Sequence, residues 1–174
     1  MMVEHPIKWV KGMSMAGADQ YTFHLESLGN FCLIFDDPFN VINLIRDANM
    51  KVGLAIKPKT QVEEIIKFID KIDVVLIMTV EPGYGGQKFM SDMVPKIEFL
   101  RSRYPYLDIE VDGGVNTQTV KDCSKAGANM IVAGTSIIRS NDRAKVIEKL
   151  KVKCRKHFYG SIFTSNVVHE KMDN

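Results

Sequence analysis

Asp112 closes the short run Asp108-Ile109-Glu110-Val111 and stands directly before Gly113-Gly114. A carboxylate held there, partly out of water and near backbone N–H groups, suits a general base or a metal ligand. An aspartate that only caps a helix or closes a turn would occupy the same place. Two further glycine-bearing junctions accompany it. The largely apolar stretch Val75 to Val80 stops at Glu81-Pro82 and continues as Gly83-Tyr84-Gly85-Gly86, so a buried strand delivers a loop whose backbone can approach a small ligand closely. Gly134-Thr135 follows a third apolar run, Met130-Ile131-Val132-Ala133. Read together, Gly113-Gly114 and Gly134-Thr135 point to a phosphate site, because glycine N–H groups accommodate an anion without lysine or arginine.

The remaining chemistry-bearing residues are sparse. Of His5, His24, His157 and His169, no two have the spacing of a ligand pair, so the sequence holds no complete metal site. His24 reads either as a hydrogen-bonded core or loop histidine or as a ligand facing the mouth of a barrel. Met78 and Met130 read as core fillers. Cys32, Cys123 and Cys154 are odd in number and irregular in spacing, which excludes a disulfide framework and implies reduced thiols in a cytoplasmic protein.

With 23 basic and 21 acidic residues the net charge is +2, so no strong field points to a nucleic acid or a membrane surface. The basic stretch Lys149 to Lys156 reads as the solvated end of a helix. No apolar run reaches the length of a membrane span, and Met1-Met2-Val3-Glu4-His5 is unlike a signal peptide.

The elements that must position Asp112 and the glycines alternate. A helix over Pro6 to Ala16 precedes a strand at Tyr21 to Glu26. Asp37-Pro38 caps a helix over Phe39 to Ala48, and Lys51 to Ile56 is the next strand. Thr60 is placed to cap a helix from Gln61 to Lys71, with Asp73 to Val80 as the third strand and a helix from Asp92 to Tyr104. Asp108 to Asp112 is the fourth strand, and Asn116 caps a helix over Thr117 to Ala126 that Gly127 ends. The fifth strand, Met130 to Ala133, turns at Gly134 into a short helical stretch and then a helix from Asp142 to Lys153. This α/β alternation predicts a parallel sheet with right-handed crossovers. It leaves open whether the sheet is a doubly wound one or part of a (β/α)8 barrel, the fold that TIM barrel enzymes share. Leu28 to Phe35 breaks the rhythm as an apolar insertion, and residues 156–174 read as a poorly structured tail beside a single domain at 1–155.

Three of these stretches carry a resemblance. Met78-Thr79-Val80-Glu81-Pro82-Gly83-Tyr84-Gly85-Gly86-Gln87-Lys88-Phe89, Glu110-Val111-Asp112-Gly113-Gly114-Val115 and Ala133-Gly134-Thr135-Ser136-Ile137 are similar to ribulose-phosphate 3-epimerases, as are Tyr21 to Glu26 and Lys51 to Pro58. The first of them argues against other phosphate-binding barrels such as thiamine-phosphate synthases or orotidylate decarboxylases. The resemblance implies a TIM barrel of the ribulose-phosphate-binding type that interconverts D-ribulose 5-phosphate and D-xylulose 5-phosphate in the pentose phosphate pathway. It also implies a divalent metal ion (zinc, iron, manganese or cobalt) and a homo-oligomer. Two aspartates on opposite faces of the substrate shuttle the C3 proton, and Asp112 matches one of them and one metal ligand. Gly83, Tyr84, Gly85 and Gly86 match the loop that covers the substrate. Gly113, Gly114, Gly134 and Thr135 match the phosphate contacts, with Thr135 where many relatives have serine.

The departure from the family pattern is at the front. Relatives carry a strand with a serine, a strand reading H-x-D-x-M-D-G and a strand ending in a histidine, all ahead of the point where this sequence reads Met1-Met2-Val3. The expectation is five βα units of an incomplete barrel that lacks the first three strands, three of four metal ligands and the second catalytic aspartate. An inactive, truncated isoform that binds sugar phosphate or pairs with a full-length subunit is the alternative to an active epimerase.

Overall fold

Alternation along each strand fixes which side chains face helices and which do not. The computed structural model describes residues 1–28 and 37–152. Its strands are β1 (Gln20–His24), β2 (Lys51–Ile56), β3 (Val74–Met78), β4 (Asp108–Asp112) and β5 (Met130–Val132). They form one parallel sheet in the order β1-β2-β3-β4-β5. A doubly wound sheet needs a reversal of strand order, whereas right-handed crossovers between successive neighbours place every connection on one face. The strictly sequential order therefore makes this a barrel-type sheet. It resolves the choice that periodicity left open.

The helix-facing side is dry. Tyr21 and Phe23, Val52, Leu54 and Ile56, Val75 and Ile77, and Ile109 and Val111 belong to one apolar cluster. Into it pack Val10 of α1 (Val10–Met15), Val41, Ile42 and Ile45 of α2 (Pro38–Asp47), Ile97 and Leu100 of α3 (Val94–Arg103), and Val120 and Cys123 of α4 (Val120–Lys125). Each fully buried aliphatic contributes about 1.5–3 kcal/mol through burial. Leu150, on the helix at residues 143–152, joins the same cluster. The alternate positions, His24, Ala55, Leu76, Glu110 and Met130, share a register row on the opposite, inner face.

Local chemistry explains where elements start and where they differ from expectation. Asp37 accepts a hydrogen bond from the Phe39 N–H (3.2 Å) ahead of Pro38, as its sequence position implies. The segment expected as an α-helix from Gln61 is a 3-10 helix, Val62–Lys71. Val62, Ile65 and Phe68 are buried at a spacing of three, which suits three residues per turn. Its N-cap is Gln61, whose N–H donates to Glu64 Oε1 (3.3 Å), and not Thr60, whose hydroxyl donates to Glu26 instead.

β1 stops at His24 because Leu25–Leu28 winds into a 3-10 turn. A 3-10 turn, Ser91–Met93, precedes α3. α4 starts late, since Asn116 Oδ1 accepts from the N–H groups of Gln118 (2.8 Å) and Thr119 (3.2 Å) and holds residues 117–119 in a turn. At the N-terminal ends of the strands, Asp73 Oδ2 takes the Val52 N–H and Asn129 Oδ1 the Ile109 N–H, both at 2.7 Å. The inserted segment beyond Leu28 and the tail lie outside the described residues. Among those described, no helix is long and apolar enough to cross a membrane.

Candidate active site

The site forms where β3, β4 and β5 end side by side. Met78 pairs with Asp112 and Asp112 with Val132, so the loops after the three strands meet around one cleft of about 480 Å3. Asp112, Gly83, Tyr84, Gly85, Gly86, Gly113, Gly114, Gly134 and Thr135 all border it. Met78, expected as a core filler, is buried but lines this cleft on the inner face, outside the helix-packed cluster.

Several side chains with no individual sequence signal fix the loops. Thr79 is fully buried, and its hydroxyl donates to the carbonyls of Gly113 (2.6 Å) and Asp112 (3.1 Å), clamping the loop after β4 onto the end of β3. Gln87 Nε2 donates to the carbonyls of Glu81 (2.6 Å) and Tyr84 (3.0 Å), drawing the glycine loop into a closed turn. Ser136 donates to the Val115 carbonyl (2.9 Å), tying the loop after β5 to the loop after β4. A side chain at Gly85 would come within 3.4 Å of Thr135 Oγ1, so the glycine loop arches over that residue. The backbone N–H groups of Gly114, Gly134 and Thr135 donate to no acceptor among the described residues. Free donors on three neighbouring residues are what an anion needs.

Burial pushes the Asp112 carboxyl up from its ordinary value, and the charge of His24 partly offsets this. Glu110, two residues earlier on the inner face, is raised by burial and by Asp112. A base with an elevated pKa sits closer to the range useful for moving a carbon-bound proton near neutrality. His24, 5% exposed, faces Glu26 across 3.5 Å between Nδ1 and Oε2. Against burial, which would raise it, His24, the Lys57 N–H (2.7 Å) and the Thr60 hydroxyl hold the Glu26 carboxyl down to about 2.

That depression has a pH signature. The folded value lies below the unfolded one, so ionised Glu26 stabilises the fold above the unfolded value and the effect fades as pH falls toward 2. Between pH 6 and pH 3 the native protein is expected to lose about 2 kcal/mol more stability than Glu26→Gln. Urea midpoints at the two pH values measure the difference, and equal slopes would show that the carboxylate is not held this way.

A divalent ion wants three or more protein ligands. Asp112 offers one, and among the described residues no three His, Cys, Asp or Glu side chains stand close enough to hold a metal. These residues alone do not make the ion's site.

A sequential parallel sheet with glycine loops and a carboxylate at the C-terminal ends of its strands defines a protein of the (β/α)-barrel class. Its fold is similar to 3-hexulose-6-phosphate synthase from Salmonella typhimurium, with a TM-score of 0.65 at 20% identity over 90% of this chain and 71% of that one. The chain belongs to the ribulose-phosphate 3-epimerase family, whose profile matches residues 1–138. It is 47% identical to the ribulose-phosphate 3-epimerase of Candida glabrata over 156 residues, 90% of this chain and 61% of that protein. It is 41% identical to the cytoplasmic isoform of that enzyme from Oryza sativa, over 87% of this chain and 65% of that one. The chain thus spans less than two thirds of the length of these relatives.

Proposed function

We propose that this chain performs ribulose-phosphate 3-epimerase chemistry, interconverting D-ribulose 5-phosphate and D-xylulose 5-phosphate in the cytoplasm. The observation that supports it best is the shared cleft: an elevated carboxyl, Asp112, beside the three unclaimed N–H groups of Gly114, Gly134 and Thr135. With the phosphate on those N–H groups, the carbon chain reaches toward Asp112. The carboxylate takes the C3 proton, and the electron pair of that bond moves to the C2 carbonyl oxygen, giving an enediolate. Returning a proton to C3 from the other face yields the epimer. Gly83 to Gly86 cover the substrate and keep water from the enediolate.

A divalent ion would stabilise the charge on oxygen, with Asp112 as one ligand. Inversion needs an acid opposite Asp112, and no second aspartate borders the cleft among the described residues. We assign the second acid, the other metal ligands and closure of an eight-stranded barrel to the family length these residues do not cover, whether in the same protein or a full-length subunit of a homo-oligomer.

The test is incubation with D-ribulose 5-phosphate and zinc, manganese, cobalt or ferrous ion in D2O, followed by proton NMR. Deuterium at C3 is the expected result for this chain, with D-xylulose 5-phosphate formed as well when a full-length subunit supplies the opposite acid. A C3 proton retained for hours at stoichiometric protein overturns the reading, and binding without exchange would mark a non-catalytic isoform.

A further inference from the structure

Beside the Asp112 cleft lies a second hollow of about 550 Å3, walled by His24, Glu26, Ser27 and Lys57 and sharing Met2, Pro82 and Gly83 with the first. Within it two buried polar atoms, His24 Nδ1 and Glu26 Oε2, have no formed hydrogen bond, although they face each other. Everything around the pair is fixed. Glu26 Oε1 accepts from the Lys57 N–H and the Thr60 hydroxyl, so the carboxylate cannot swing away. Lys96 Nζ donates to the carbonyls of Pro58 (2.7 Å) and Thr60 (2.6 Å), holding the loop that supplies those donors. The Ser27 hydroxyl donates to the His24 carbonyl (2.6 Å), pinning the turn after β1.

A carboxylate opposite Nδ1 selects the tautomer with its proton on that nitrogen, which leaves Nε2 as a hydrogen-bond acceptor. The two hollows share Met2, Pro82 and Gly83, with Asp112 lining one and His24 the other, so both residues can reach one bound molecule. No step of the proton transfer uses this pair, and leaving His24 Nδ1 and Glu26 Oε2 buried without a formed hydrogen bond is costly if they serve structure alone.

We propose that His24, oriented by Glu26, is a specificity-determining contact whose Nε2 accepts a hydrogen bond from a hydroxyl of the carbon chain of a polyol phosphate. The phosphate of that ligand occupies the Gly114, Gly134 and Thr135 donors, so the inference rests on the functional reading above. His24 touches ligand; Glu26 is a positioning residue that acts through it.

Calorimetry with two probes, inorganic phosphate and D-ribulose 5-phosphate, separates the parts. His24→Leu is expected to weaken D-ribulose 5-phosphate binding about tenfold while leaving inorganic phosphate unchanged. His24→Gln, which restores an acceptor near the Nε2 position, should return binding to within about threefold of the native protein. Glu26→Gln should weaken the sugar phosphate and convert the 15N signature of His24 from one tautomer to a mixture.

Sugar-phosphate binding by His24→Leu at native strength, or equal losses for both probes, overturns the contact. An unchanged 15N signature in Glu26→Gln overturns the positioning. If the native protein binds neither probe, the functional reading fails and takes this inference with it. If it binds phosphate and the variants change nothing, only the inference fails.

Discussion

Gly114→Ala is expected to destabilise the protein by about 3 kcal/mol or more and to abolish phosphate binding. Gly114 has φ +64°, where a Cβ alone costs roughly 1 kcal/mol. The Cβ would also stand 2.5 Å from the Phe89 nitrogen, 2.8 Å from the Phe89 Cα and 3.0 Å from the Gln87 carbonyl oxygen. These are backbone atoms, so no rotamer change relieves the clash. Neither strand of the contact can retreat. The Met90 N–H is bonded to the Thr79 carbonyl at 2.9 Å, and the Thr79 hydroxyl holds Gly113 on the other side. Any relief must separate the loop after β3 from the loop after β4, which opens the cleft. Gly134→Ala is the control: its φ is −96° and an added Cβ meets nothing within 4 Å, so a change below about 1 kcal/mol is expected. Urea unfolding of both variants decides. Equal midpoints would mean that the two loops are not locked together as described.

What the sequence revealed and what it hid follow one physical line. Features written in a single element were legible: the Asp37-Pro38 start of α2, the bounds of β2 and β4, and Asp112 at the end of its strand before two glycines. The glycine loops and Asp112 could be linked to one cleft only through resemblance, because their meeting depends on the register of three strands far apart in the chain. Val62–Lys71 misled because apolar residues at three- and four-residue spacings fit both helix types, and tertiary packing chose the tighter one. Thr60 read as a cap since its local position allowed it, yet Glu26, distant in sequence, competes for the hydroxyl.

Thr79 had no signal of its own. A threonine ending an apolar run reads as part of the strand, and only the carbonyls across β4 give its hydroxyl a purpose. The sequence leaves His24 between core residue and ligand for the same reason, since Glu26 becomes its partner only when β1 gives way to a 3-10 turn. Strand order, which decides barrel type against doubly wound, is a property of pairing and not of any stretch of sequence.

Asp112→Asn is expected to lower deuterium uptake at C3 of D-ribulose 5-phosphate by about 10³-fold or more, the scale of losing a positioned general base. Asparagine keeps the shape and retains an acceptor oxygen, so the loss reports on proton affinity and charge, not on the form of the cleft. The same change should stabilise the metal-free protein near neutrality by up to about 1 kcal/mol. The sign follows from burial, which raises the folded carboxyl above its unfolded value despite the charge of His24. A group shifted that way favours the fold fully only below its unfolded value, and this contribution disappears as pH rises through the folded one. In chelator, the stability gap between variant and native protein should therefore open as pH rises through the acid range and level off above it. Asparagine also relieves Glu110, whose carboxyl is raised by its own burial and by the neighbouring charge of Asp112. A residue that costs stability where it stands is one retained for what it does. Unchanged exchange, or a variant less stable than the native protein at pH 7 in chelator, would instead make Asp112 a structural carboxylate and remove the base from the proposed chemistry.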